Sequence, residues 1–467
     1  MITYQDLRKV SPAATSISAF CENAIAEYKA SAFYRTAVIA EKYYEQKNVT
    51  ITDYRKLLYT TSGKAVPDNY TANHKMASNF FKRFVVQENQ YLLGNGATFE
   101  KEATKKKLGA NFDSQLQKAG RAAITEGCAY GLFNYDNVQV FKAIEFVPLF
   151  DEENGSLRAG IRFWQLAEDK PLRYTLFEED GYTEFIKDAS GNTRVLADKK
   201  TYVQVVKTSI ADGVEISDGG NYSSFPIVPL WGNLSHQSAI VGIREQIDAY
   251  DLIKSGFCND LDDASAIYWT LQGAGGMDDI DLAKFVERMK TVKAAVVDDD
   301  MKAESHTLEV PYQSRETYLA RLENDLYNDA MALNVQTLSA GNLTATAINA
   351  AYETLNAKTD EFEYCVLDFI GALLKLAGVE DYATFKRSKV INQQEETQMI
   401  LSAASYLDDE TILKKLPFLT PDEVKGILER KDAEDREAEE EAKEENPEAN
   451  GEEGNGNADN NVGEGEQ

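Results

Sequence analysis

From Tyr312 to Ala377 the apolar positions repeat at helical spacing, with one interruption. Leu319, Leu322, Leu326, Ala330 and Leu333 share one face at steps of three and four, and Leu355, Thr359, Phe362, Val366, Phe369, Leu373 and Leu376 share another. Between the two runs lies Gln336 to Ala345, a small, polar stretch in which Gly341 and Asn342 tolerate left-handed backbone. At about 1.5 Å per residue, a helix from Thr346 to Leu376 is roughly 45 Å long, more than a small domain needs. The pattern predicts two long helices separated by a mobile loop, residues 336–345, with no apolar register of its own.

The same reading extends along the chain. Ile17, Phe20, Cys21, Ala24 and Tyr28 form one helical face; Phe80, Phe81, Phe84, Val85, Glu88 and Tyr91 form a second, ended by Gly94-Asn-Gly96; a third helix is predicted from Phe112 to Tyr130. Between residues 137 and 230 the period changes to two. Val138 to Phe141, Ile144 to Phe150, Ile161 to Trp164, Tyr174 to Phe177 and Tyr182 to Ile186, with turns at Glu153-Asn-Gly-Ser156 and Asp180-Gly181, predict antiparallel hairpins. Pro226 and Pro229 make Phe225 to Asn233 an edge segment.

From Ser238 a long amphipathic helix resumes. Ile243, Ile247, Tyr250, Ile253, Phe257, Leu261 and Ala264 mark its apolar face, and Glu245, Asp248, Asp251, Asp260, Asp262 and Asp263 an acidic one. Tyr268 to Val310 then reads as strand, loop, short helix (Leu282 to Lys290), strand (Thr291 to Val297) and an acidic turn, before helix returns at Gln313. Two long helices bracketing a small α/β insertion make a stalk with a tip. Residues 381–430 hold short helices, with Thr420, Pro421 and Glu423 as a start signal.

Composition narrows the function. The chain has 467 residues, is 43% hydrophobic and carries a formal net charge of −28. Lys431 to Gln467 holds 15 acids against 3 bases and no aromatic residue, so this tail is expected to be disordered. An acidic body repels phosphates and argues against a tight DNA binder, while permitting a passage to which DNA must not stick. Cys21, Cys128, Cys258 and Cys365 lie far apart, in segments read as helical, and are expected to be reduced thiols. With no leader-like N-terminus and no apolar run of membrane length, a soluble, cytoplasmically made chain is expected, with no membrane partner.

No catalytic, cofactor or metal site emerges. His74, His236 and His306 have no ligand partner at helical spacing; Gly94-Asn-Gly96 follows a helix where a phosphate loop would follow a strand; no Walker loop or nucleophile elbow occurs. The acidic clusters Asp260 to Asp263, Asp278 to Asp281 and Asp298 to Asp300 lack the pattern of a calcium loop and read as solvated faces.

The order of parts resembles the portal proteins of tailed bacteriophages, in the branch of long-tailed phages of Gram-positive hosts. The segments that carry the likeness are Asn79 to Asn95, ending Tyr-Leu-Leu-Gly-Asn; Gly127-Cys-Ala-Tyr-Gly131; Phe146 to Asp151; Phe225 to Asn233; Ile247-Asp-Ala-Tyr-Asp251; and Asn259 to Asp263. Gly94-Asn-Gly96 stands where the family more usually has Gly-Asn-Pro. The resemblance implies an α+β, mainly helical, non-enzymatic subunit of a ring, usually a dodecamer, at one capsid vertex. Its parts would be a wing (1–237 and 346–380), stem helices (238–267 and 312–335), a clip (268–311), a tunnel loop (336–345), a crown (381–430) and the acidic tail. Leu338, Ser339, Asn342 and Thr344 would face double-stranded DNA without reading its sequence. The acidic stem face would line the channel, and Asp278, Asp279, Asp298, Asp299 and Asp300 would belong to a clip docking surface. Expected partners are the terminase large subunit, the major capsid and scaffolding proteins and the head-tail adaptor. Alternatives are a monomeric virion adaptor protein and a nucleotide-dependent enzyme of phage DNA metabolism.

Overall fold

The computed structural model describes residues 2–433 apart from 61, 69–70, 136, 204–206, 211–212, 217–219, 265–267, 273–277, 292–301, 307–311, 336–344, 389–392, 417–418, 420–423, 425 and 432. Helices α1 (Tyr4–Lys9), α2 (Ala14–Ala30), α3 (Ala32–Tyr44) and α4 (Val49–Thr52) lead to a hairpin of β1 (Leu57–Tyr59) and β2 (Ala65–Pro67). After these come α5 (Phe80–Leu93), β3 (Ala97–Phe99), α6 (Glu102–Leu108) and α7 (Phe112–Glu126). The strand-rich part holds β4 (Cys128–Asn134), β5 (Asn137–Lys142), β6 (Phe146–Phe150), β7 (Leu157–Trp164), β8 (Leu172–Glu178), β9 (Gly181–Lys187), β10 (Thr193–Val195), β11 (Lys207–Ile210), β12 (Gly213–Ile216) and β13 (Ile227–Trp231). Then follow α8 (Arg244–Ala264), β14 (Tyr268–Gln272), α9 (Asp279–Thr291), β15 (Lys302–His306), α10 (Tyr312–Asp329), α11 (Ala345–Leu376), β16 (Ala383–Phe385), α12 (Gln393–Ser402) and α13 (Asp409–Lys415). The fold is α+β. Among the described residues no helix is long and apolar enough to cross a membrane.

Two compact units emerge, Met1–Asn342 with Ile348–Lys389, and Leu343–Ala347 with Val390–Gln467. In the first, β6 to β10 form an antiparallel meander in which each strand pairs with the next, as the period-two pattern predicts. Cys21, Ala24, Ile25 and Tyr28 of α2 bury themselves against its Val147, Ile161, Tyr174 and Phe185. Ser31 separates α2 from α3, its Oγ accepting from the Tyr34 N–H at 3.1 Å as a helix cap.

The third predicted helix is shorter than expected. Gly127 turns left-handed at φ +95°, donates its N–H to Ala123 at 2.8 Å, and ends α7 at Glu126, so Cys128 to Tyr130 belong to strand β4. β4 is the centre of the sheet β13-β4-β5 and is covered on both faces. Ala129 and Phe133 face the main helical core, whereas Cys128, Tyr130 and Leu132 face Phe141, Phe146 and Phe177. A strand buried on both sides shows no alternation of polarity, which is why it reads as a continuation of the helix. β13 lies at the sheet edge, as its prolines require. All four cysteines are free, and Cys258 is the one that is not buried.

The seam of α11 is the spine of this core. Leu355, Thr359, Phe362, Val366, Phe369 and Leu373 are each at most 2% exposed. Gly131 makes room for it: a Cβ there would stand 2.5 Å from the Phe369 ring. β16 pairs with β3, so residues 383–385 belong to the first unit. In the second unit, Asp408 caps α13 by accepting from the Thr411 N–H at 2.9 Å.

Candidate functional site at the loop root

Residues 336–344, with Leu338, Ser339, Asn342 and Thr344, lie outside the described residues, but both of their flanks are held by one helix, α5. On the near side, Gln87 makes two hydrogen bonds to the Leu333 backbone: its Nε2 donates to the carbonyl and its Oε1 accepts from the N–H, both at 2.9 Å. On the far side, Tyr91 stacks on Tyr352 with ring centroids 5.6 Å apart and donates to Asn356 Oδ1 at 2.6 Å. Lys358 joins the two sides. Its Nζ donates to the Ala330 carbonyl at 3.1 Å and pairs with Glu88 at 2.8 Å. Glu88 is 3% exposed; burial raises its pKa and the Lys358 charge pulls it back. Arg387 adds an outer brace, bonding Glu363 at 2.7 Å and Asp360 while lying over the Tyr91 ring. A groove of about 460 Å³ opens beside this clamp, lined by Lys82, Gln87, Leu333 and Val335 among others. Gln87 and Lys358 were not legible as site residues. The available signal was Glu88, a carboxylate on an otherwise apolar helix face.

α8 and α10 form an antiparallel pair. Gln246 bonds Asp329 at one end, Arg315 bonds Asp260 toward the other, and Phe80 and Phe84 of α5 meet Tyr250 and Tyr327 edge-on between them. The pair brackets β14, α9 and β15, the segment read from the sequence as a tip. The tip strand opposite Tyr268–Gln272 is Lys302–His306; the strand predicted at 291–297 begins on the last residue of α9 and otherwise lies outside the described residues.

The acidic face of α8 is not a continuous solvent face. An irregular strap, residues 71–79, lies along it and donates every second backbone N–H to a side chain four residues further back on the helix. His74 donates to Asn259 at 2.6 Å, Met76 to Ser255 at 3.0 Å and Ser78 to Asp251 at 2.8 Å. The match is geometric, since two residues of extended chain and four of helix both advance about 6 Å. Asp251 is fully buried, and burial raises its pKa against the bonds from Asn48 and Ser78. Asp248 accepts from Tyr43 and from Thr50 at 2.7 Å, and Asp262 from His74. Glu245 is exposed, Asp260 is paired, and the Asp263 side chain lies outside the described set. The expected six-residue face is therefore split: Asp248 and Asp251 hold the subunit together, and their charge is not free to line a channel.

At the tip, Asp278 is a helix cap, its Oδ1 accepting from Ile280 at 3.0 Å and Asp281 at 2.9 Å. Asp279 is exposed beside Ile280, which is 62% exposed; Asp298, Asp299 and Asp300 lie outside the described residues. Among the described residues no group of three or more His, Cys, Asp or Glu stands together as a metal site.

The family model of phage portal proteins of the SPP1 Gp6-like type matches residues 27–448. The chain belongs to the phage portal protein family. A portal protein of Clostridium phage phiCD119 is 26% identical over 320 residues, covering 64% of this chain and 66% of that protein. The portal protein of Bacillus phage SPP1 is 22% identical over 426 residues, covering 81% and 80%. Among solved structures, a chain of the virion of a native gene transfer agent particle aligns at 10% identity and TM-score 0.44, over 71% of this chain and 88% of that one. A chain of the neck of the native particle, computed with C12 symmetry, aligns at 11% and 0.42, over 73% and 91%. Portal proteins are structural components of the virion at the capsid. In this portal subunit the segments that suggested the family are mostly architectural. Gly127 and Gly131 are fixed by a left-handed cap and by the Phe369 ring, and Asn259 and Asp251 hold the strap.

Proposed function

We propose that this subunit forms a closed ring, a dodecamer on the family pattern, at one vertex of the capsid, and that double-stranded DNA passes through its centre without being read. The observation that carries this reading is the clamp on both sides of residues 336–344. Gln87, Glu88, Tyr91 and Lys358 fix the two flanks to one helix, so a loop with no apolar register is presented from a rigid base. Leu338, Ser339, Asn342 and Thr344 then touch the duplex through weak, sequence-independent contacts. α8 and α10 serve as stem, with the exposed Glu245 on its acidic face, and residues 268–311 as the clip on which the terminase large subunit and later the head-tail adaptor dock. The exposed Asp278, Asp279 and Ile280 are part of that docking surface. Scaffolding and major capsid proteins meet the ring during assembly in the host cytoplasm. The work of packaging comes from the separate motor, and this chain is not itself an enzyme; a channel of acidic sign keeps friction low.

Negative-stain imaging with mass measurement of the purified full chain tests the ring. A closed ring with a central hole is expected, and a monomer at all salt concentrations, with or without scaffolding protein, would favour the adaptor reading instead. Replacing Leu338 and Asn342 by Gly should leave the ring intact and lower the yield of DNA-filled heads. Wild-type yield would remove the loop from the channel.

A further inference from the structure

Between α4 and the strap the chain puts out the β1–β2 hairpin, whose strands pair with each other alone among the described residues. Leu57, Leu58 and Tyr59 are 45%, 40% and 73% exposed, and Tyr54 at its base is 43% exposed. Successive residues of a strand point to opposite faces, so both faces of this ribbon carry apolar side chains into water. A two-stranded ribbon is marginal by itself, and an exposed apolar edge of this kind recruits a pairing partner.

The hairpin is nevertheless built. At its tip the Thr60 N–H donates to the Lys64 carbonyl at 3.0 Å and Gly63 turns at φ +77°. At its base the Asp68 N–H donates to the Lys56 carbonyl at 2.9 Å, Thr71 donates to Asp68 Oδ1 at 3.1 Å, and Ile51 and Asp68 are buried. An arm held at root and tip, with its length bare, is shaped for something outside the subunit.

Its charge indicates what that is. Tyr54 to Pro67 carries Arg55, Lys56 and Lys64 and no acid, in a chain of formal net charge −28. We propose that this hairpin is an intersubunit arm that docks on the acidic surface of the adjacent copy in the ring, burying Leu57, Leu58 and Tyr59 and setting Arg55 and Lys64 against that copy's carboxylates. The assignment rests on the ring reading above. DNA would neutralise the cations but leave the apolar residues in water, so a protein surface satisfies more of the arm.

Two variants of the full chain test it, Leu58→Asp with Tyr59→Asp, and Arg55→Glu with Lys64→Glu. Sedimentation velocity should show at least a tenfold rise in the concentration at which half the subunits are assembled, while the dissociated subunit melts at the wild-type temperature. A photo-reactive phenylalanine at position 59 should cross-link to a second copy. Rings at wild-type concentration in both variants would overturn the proposal. So would cross-links confined to one chain, a dissociated subunit that melts much lower, or variants that lose only a gel shift of duplex DNA. If the wild-type chain forms no ring under any condition, the ring reading itself fails, and the arm falls with it.

Discussion

Replacing Lys358 by Met removes the cation that faces a carboxylate 3% exposed to solvent. Breaking a buried ion pair from one side costs about 3–5 kcal/mol, because the remaining charge is left uncompensated. The Ala330 carbonyl also loses its donor, and the link between α11 and the end of α10 is cut. The cost has a defined pH dependence. Burial raises the Glu88 pKa above its unfolded value, so the folded state holds the extra proton and stability falls as pH rises through the folded value. Lys358 opposes that rise; without it the pKa climbs further. The deficit of Lys358→Met should therefore be greatest at alkaline pH and shrink as pH falls through the raised Glu88 pKa, where the carboxyl takes up its proton. Replacing Glu88 by Gln in the same chain removes the stranded charge and should recover more than half of the loss, since exchanging both partners of such a pair is often close to neutral. Urea unfolding of the single and double variants across this pH range reads all three quantities. A single variant within about 0.5 kcal/mol of wild type at high pH would refute the reasoning. So would a double variant no more stable than the single, or a deficit that grows as pH falls.

Further outcomes are open to measurement. Gly131→Ala, whose Cβ would stand 2.5 Å from the Phe369 ring, should cost about 1–3 kcal/mol through overpacking, and a chain that also carries Phe369→Leu should cost less than the sum of the two changes. Asp251→Ala strands the Ser78 N–H and should cost about 1–3 kcal/mol, with faster hydrogen exchange at Ser78; unchanged exchange would detach the strap from α8. Ser255→Ala should accelerate exchange at Met76 and leave Ser78 the less affected amide. Ending the chain after Ala433 removes a stretch with no aromatic residue and should leave the melting temperature unchanged; a clear drop would give that tail a structural role.

The sequence by itself determined whatever depends on a one-sided pattern. The seam from Leu355 to Leu376, the hairpins between 146 and 187 and the edge position of the Pro226 and Pro229 segment are legible because each buries one face and exposes the other. The order of those parts was enough to suggest the family. Three things were settled only in the tertiary structure. β4 is covered on both sides, which erases its alternation, so its start depends on the left-handed turn at Gly127. The acidic face of α8 looked solvated because a carboxylate's partner is not visible along its own helix. Asp251, Ser255 and Asn259 are satisfied by backbone N–H groups some 180 residues away in sequence. The clamp on either side of residues 336–344 has the same character, since Gln87 and Lys358 acquire their roles only when α5 packs against both Leu333 and α11. Periodicity reports what a segment does with its own faces; which distant polar group completes a buried one is decided by packing.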